Sequence, residues 1–268
     1  MADRARPPQG VEAQADRRPV FSALTAKLSR LRPLDPAEED ALRSLRRSSQ
    51  TFQPGSDLAS EGQSRRPVFI LESGWCYSYK FLPDGGRQVV MVKLPGDFLG
   101  VRSMLLRVSD HGFAPLTPVV ASQVDMTELA RLMRQSPRLA ASLLWAAALD
   151  EAMIVEHLVS LGPRDAASRL AHFFLELKAR LDLLGLVEGD SFDCPLSQQM
   201  IADLSGLTPI HVNRVLRRLR EDQLMSFQRG RVVLHDPSAL ARLAGFDGSY
   251  LRQADHAPPA PDGWMDDA

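Results

Sequence analysis

The densest chemistry in the sequence lies between residues 196 and 220, where His211, Asn213, Arg214, Arg217, Arg218 and Arg220 recur on one helical period. From Thr208 to Arg220 there are four arginines and no acid, in a chain whose formal net charge is -1. A solvated helix usually mixes signs, whereas this face offers cations to phosphates and planar, forked donors to base edges. The chemistry expected is the reading of double-stranded DNA. Arg214, well into the helix on the exposed side, is the candidate for a bidentate contact with guanine, with Asn213 and His211 as further base readers. Ser197, Gln199, Thr208, Arg217 and Arg218 are placed to hold the duplex through its phosphates, and Arg229 and Arg231 to meet the backbone from a second side.

The other reactive residue types do not assemble into a second chemistry. Only Cys76 and Cys194 occur, too few for a disulfide framework, a cysteine zinc site or an iron–sulfur cluster held by four thiolates. Of His111, His157, His172, His211, His235 and His256, a single one falls in the strand-rich region, against about three ligands for a cupin-like metal enzyme. There is no Gly-rich nucleotide loop and no H-E-x-x-H run, so catalysis is not expected. Haem would have to use Cys76, His111 or His157; no cofactor is expected. Nothing adjacent to Cys76 would lower its pKa enough for a redox switch.

These residues need elements to hold them. At 268 residues, 44% hydrophobic and 24% charged, the chain has room for one large domain or two small ones. Residues 1–18 have no apolar core of a signal peptide, and the longest near-continuous apolar run, 139–149, is about half of the roughly 20 residues a spanning helix needs. A cytoplasmic protein with no membrane partner is expected. Around the arginines, Ser197 can cap a first helix, Ala202 lets a second cross it closely, and Gly206 supplies the turn. Thr208 caps the second helix with Pro209 in its first turn, and Ile201, Leu207, Val212 and Val215 face inward. This is the pattern of a helix-turn-helix. Residues 224–227 and 231–234 read as two short strands around Gly230, a wing.

Upstream, 51–125 is a run of short alternating segments punctuated by glycine, with a hairpin over 76–82 and 87–94 joined by Pro83-Asp84-Gly85-Gly86. Asp35 and Pro36 start a short helix before it. Ser136 and Pro137 start a helix of about 24 residues, roughly 36 Å long, ended by Gly162-Pro163. Leu139, Leu143, Ala146, Leu149 and Met153 are its expected two-fold dimer seam. Another amphipathic helix spans 165–184. The expected division is a tail at 1–19, a β-roll at 20–125, the dimerisation helix at 126–162, a winged helix-turn-helix at 163–246, and an acidic tail at 247–268 carrying Asp255, Asp262, Asp266 and Asp267.

In that order of parts the chain resembles the Crp/Fnr family of bacterial transcription regulators over roughly residues 20–246. The resemblance is carried by Gly74-Trp75, Tyr79-Lys80, Asp84-Gly85, the run Leu94-Pro95-Gly96-Asp97-Phe98-Leu99-Gly100, and the run from Gly206 to Arg214. It implies an α+β chain: an N-terminal β-roll sensor of jelly-roll type, a long dimerisation helix and a C-terminal winged helix-turn-helix. It also implies a homodimer on a roughly palindromic operator, with RNA polymerase as a further partner. Arg214 matches the family's guanine-reading arginine, while Pro209 and Ile210 stand where cyclic-AMP-binding members place Arg and Glu.

Members that bind cyclic AMP carry Gly-Glu-Leu and a later Arg-Ser/Thr-Ala; here Gly100-Val101-Arg102 and His111-Gly112-Phe113-Ala114 stand instead. Both polar partners are missing, so cyclic AMP is not expected. Arg102 and Arg107 are the residues left to pair another anionic effector. Two alternatives stand beside an effector-gated regulator: a regulator that binds DNA constitutively and is controlled by its abundance, and an adaptor whose β-roll binds a protein partner.

Overall fold

A computed structural model of the chain describes residues 22–30, 32–62, 67–101 and 111–251. The tail expected at 1–19 and the effector candidates Arg102 and Arg107 lie outside the described residues. Two short helices open the described chain, α1 (Ser22–Leu28) and α2 (Pro36–Ser44). Asp35 caps α2 in a capping box with Glu38, whose carboxylate also takes two hydrogen bonds from Arg32.

Among the described residues seven strands follow: β1 (Arg46–Phe52), β2 (Phe69–Ser73), β3 (Cys76–Phe81), β4 (Arg87–Lys93), β5 (Phe98–Leu99), β6 (Gly112–Pro115) and β7 (Val119–Val124). They pair antiparallel in two sheets, ordered β1-β7-β2-β5 and β4-β3-β6. Leu71, Cys76, Leu99, Val119 and Ala121 belong to one buried cluster spanning both sheets. Between β2 and β3 the chain passes at Gly74 with φ 79°, and a Cβ there would stand 2.3 Å from the Pro118 carbonyl oxygen. Only glycine fits that approach. The β3/β4 turn closes by Leu82 N–H donating to the Gly86 carbonyl at 2.8 Å.

The stretch 126–162 holds two helices rather than one. α3 (Met126–Gln135) is capped by Asp125, and α4 (Pro137–Leu161, 25 residues) by Ser136, whose hydroxyl accepts from Leu139 N–H. The face of α4 expected to pair with a second copy is used at home. Leu139, Leu143 and Ala146 pack in one cluster with Leu24, Leu28, Leu42 and Phe98; Leu149 and Met153 pack with Met91 and Leu251. α4 is apolar around much of its circumference, so periodicity alone does not say which stripe meets the β-roll. The exposed apolar residues lie elsewhere on the helix: Leu144 is 66% exposed and Leu158 64%, with Val155 and Val159 beside them.

The C-terminal part contains α5 (Ala166–Asp182), β8 (Ser191–Asp193), α6 (Gln198–Ser205), α7 (Pro209–Glu221), β9 (Met225–Gln228), β10 (Arg231–Leu234) and α8 (Pro237–Ala244). The last three strands form a sheet ordered β8-β10-β9. Of the acidic tail expected at 247–268, residues 252–268 lie outside the described residues. Residues Gly248–Leu251 form a 3-10 turn, Leu251 is buried, and the Tyr250 hydroxyl donates to Glu176 at 2.7 Å.

The β-roll and the C-terminal part share a core. Tyr77, Tyr79, Val89 and Val92 cluster with Leu170, Phe174, Phe192 and Leu219. The polar centre of this contact is Asp97, buried, which accepts from Lys27 Nζ of α1 at 2.8 Å, from Arg180 Nη2 of α5 at 3.1 Å and from Leu94 N–H at 3.0 Å. Burial opposes its ionisation, but Lys27, Arg180 and Lys93 outweigh that and hold the carboxyl well below the usual range. No helix among the described residues is long and apolar enough to cross a membrane.

Candidate DNA interface

Local chemistry places the recognition helix. Ser197 caps α6 by accepting from Met200 N–H at 3.2 Å, and Gly206 ends it in the left-handed region at φ 62°. Thr208 caps α7, accepting from His211 N–H at 3.3 Å. Ala202 is fully buried where the helices meet, and Ile201, Val212, Val215, Leu216 and Leu219 close the core beneath them. Each capping hydroxyl uses a lone pair on the backbone, so its O–H stays available to a phosphate oxygen.

The outer face of α7 is exposed at Ile210, His211, Asn213, Arg214, Arg217, Arg218 and Arg220. Arg214 makes no hydrogen bond or ion pair among the described residues, so its guanidinium is free to take a base edge. Asn213 is not free: its Nδ2 donates to Gln198 Oε1 of α6 at 3.1 Å. Gln199 likewise donates to Asp203 at 2.8 Å. Each amide spends one N–H on that bond and keeps its carbonyl oxygen and its second N–H for a base or a phosphate. The acid-free run ends in two carboxylates, Glu221 lying 3.8 Å from Arg217 and Asp222 lying 3.6 Å from Arg218. Such exposed pairs are weak and yield to a phosphate.

The wing separates the two arginines assigned to it. Arg229 and Gly230 form the two-residue tip, at φ 51° and 76°, with Gln228 and Arg231 paired across its base. Arg229 is exposed and makes no hydrogen bond or ion pair among the described residues. Arg231 instead donates to Glu188 at 2.6 Å, to Ser191 at 2.8 Å and to Asp193 at 3.1 Å. Arg231 is thus paired with two exposed carboxylates, whereas Arg229 is not.

Gln198, Pro209, Ile210, Asn213, Arg214 and Arg217 together line a shallow concavity of about 370 Å³. Gln198 and Ile210 were not among the residues expected to contact DNA. The spacing 210, 214, 217 is the signal that places Ile210 in the row of the two arginines.

The interface is tied to the β-roll. Gln88 Nε2 of β4 donates to the Asp203 carbonyl at 2.8 Å, and His157 of α4 meets the Leu204 carbonyl, both at the C-terminal end of α6. A second concavity, about 530 Å³, lies between the roll and α4 and is lined in part by Lys27, Lys93, Phe98, His111, Asp150 and Glu151. Lys27 is paired with Asp97, and Lys93 with Asp150 at 2.6 Å. Both cysteines are buried, and burial pushes each thiol up to about 12. Among the described residues no cluster of three or more His, Cys, Asp or Glu could hold a metal ion.

Comparison with known proteins agrees with this geometry. Residues 168–243 match the Crp-like helix-turn-helix domain and residues 49–136 the cyclic nucleotide-binding domain. The chain is 31% identical over 195 residues to the nitrogen fixation regulation protein FixK of Bradyrhizobium diazoefficiens, covering 72% of this chain and 80% of that one. It is 27% identical over 213 residues to the transcriptional activatory protein AadR of Rhodopseudomonas palustris, covering 79% and 87%. Among solved structures, FixK2 from Bradyrhizobium japonicum superposes with a TM-score of 0.67 at 24% identity, over 75% of this chain and 98% of that one, a likeness of fold.

Proposed function

The chain belongs to the Crp/Fnr family of DNA-binding transcription regulators, and from that premise we propose that it acts as a homodimer joined along α4 on a two-fold symmetric operator. The observation that carries the reading is a row on α4 left bare by the fold. Leu144, Ala148, Glu151, Val155 and Leu158 are all exposed and step by four, three, four and three residues. That is the heptad spacing of a two-stranded seam. It runs alongside the buried stripe through Leu139, Ala146, Leu149 and Met153, so one helix serves both the roll and a second copy.

In the dimer the two α7 helices present Arg214 to major grooves about one DNA turn apart. Analytical ultracentrifugation tests this: the wild type should sediment as a dimer, Leu158→Glu as a folded monomer with lost operator affinity. A monomeric wild type with full operator affinity would refute it.

The second concavity lies where a β-roll effector would act on α4. Its buried amines are engaged by carboxylates, and Asp150 and Glu151 line the same wall; this supports a reading in which a cyclic phosphate is not the effector. The shared core and the ties through Asp97 and Gln88 favour a second reading, that the protein is competent for DNA without a ligand. Operator affinity of the purified, ligand-free protein separates gated from constitutive binding. RNA polymerase is the further partner where the bound dimer activates, which run-off transcription from an operator-bearing promoter tests.

A further inference from the structure

We propose that Ile210 is a base-reading residue, and that it selects a thymine by its 5-methyl group next to the guanine taken by Arg214. The inference rests on the DNA-reading face of α7 and adds to it the one residue there that cannot hydrogen-bond. A lone exposed apolar side chain needs no explanation on its own. The company of this one supplies it. Ile210 is 75% exposed, the largest value among the exposed large hydrophobics of the described residues, and it lies in the first turn of the helix that carries the arginines.

Ile210, Arg214 and Arg217 are spaced by four and three residues, so they form one row along the outer face. The concavity they line with Gln198, Pro209 and Asn213 leaves the Ile210 side chain at the surface. Pro209 beside it has neither side-chain donor nor backbone N–H.

On DNA the N-terminal turn of a recognition helix lies nearest the base edges. An isoleucine delivered there has one favourable partner in the major groove, the thymine methyl, since the other edges at that depth are donors and acceptors it would leave unpaired. As a β-branched side chain it is stiff, so little conformational freedom is lost on contact. Ile210 stands one helical turn from Arg214, which puts the thymine within one or two base pairs of the guanine.

The test is thymine-to-uracil scanning, because uracil differs from thymine only by the missing methyl. Operators selected from random duplexes by the wild-type protein are resynthesised with each thymine replaced in turn, and affinities are measured for wild type, Ile210→Ala and Ile210→Val. For the wild type we expect one symmetry-related position to be sensitive, losing about fourfold for one half-site and about tenfold or more for both. Ile210→Ala should lose a similar factor on the thymine operator and be indifferent to uracil at that position. Ile210→Val should keep most of the discrimination.

Guanine dependence through Arg214 should be unchanged in both variants, which shows that they fold and dock. Sensitivity to uracil that survives in Ile210→Ala, or no sensitive position in the wild type, would overturn the assignment while leaving DNA reading intact. Sequence-blind binding by the wild type would overturn the DNA-reading conclusion itself and this inference with it.

Discussion

Arg214 and Arg217 stand three residues apart on α7, and the account gives them different work. Among the described residues Arg214 has no hydrogen-bond or ion-pair partner, and it is central on the outer face, so Arg214→Ala should cost about 1–3 kcal/mol per half-site on the operator and relax sequence preference. Arg217, already beside Glu221, should act through phosphates: Arg217→Ala is expected to weaken specific and random duplexes alike and lower the salt slope by about one per protomer. Fluorescence anisotropy across a salt series measures both; equal losses on both duplexes for the two variants would refute the division. The sequence showed these arginines because a cationic row on one helical face is a local pattern. It did not show that Arg231 is paired, since its partners Glu188 and Asp193 come from 43 and 38 residues away.

A residue-scale pH effect lies in the packing beneath α5. Burial and the Arg164 cation lower His172 to about 4, against the opposing pull of Glu156 at 3.3 Å. A histidine that is neutral when folded and takes a proton more readily when unfolded contributes stability above its ordinary value of 6.5, and loses it as pH falls towards 4. The urea midpoint of the wild type should therefore drop through that window. His172→Phe, which keeps the edge-to-face contact with Phe246, should flatten the drop; an unchanged slope would assign it to other groups.

At the scale of elements, caps, turns and the helix-turn-helix were legible because each is written within a few residues. Asp35, Ser136, Ser197 and Thr208 all cap the helices that follow them. Which stripe of α4 packs against the β-roll was not legible. The helix has two apolar stripes, and only the presence of the β-roll decides that Leu149 and Met153 turn inward while Val155 and Leu158 remain bare. The two stripes predict opposite phenotypes. Leu149→Ala should destabilise the folded chain by about 2–5 kcal/mol in chemical denaturation with the dimer preserved. Val155→Glu should leave the protomer's stability nearly unchanged and dissociate the dimer.

For the molecule as a whole, the decisive contact was invisible in the sequence. Asp97 sits in a run whose glycine and proline signal a turn, yet its partners Lys27 and Arg180 are 70 and 83 residues distant. This one carboxylate joins the N-terminal helix, the β-roll and the helix beneath the DNA interface. Asp97→Asn would leave two buried cations short of an anion, an expected cost of about 3–5 kcal/mol. Differential scanning calorimetry should then show the single transition of the wild type move down and separate into two. In the wild type, the depressed carboxyl contributes stability above its unfolded pKa of about 3.9 and loses it only as pH falls below that.

The measurement that tests the central claim most directly is the sequencing of random duplexes retained by the purified, ligand-free protein, with Arg214→Ala in parallel. The account predicts a two-fold symmetric consensus with one guanine in each half-site that only the wild type selects. Sequence-blind retention by both proteins, or the same consensus retained by Arg214→Ala, would contradict it.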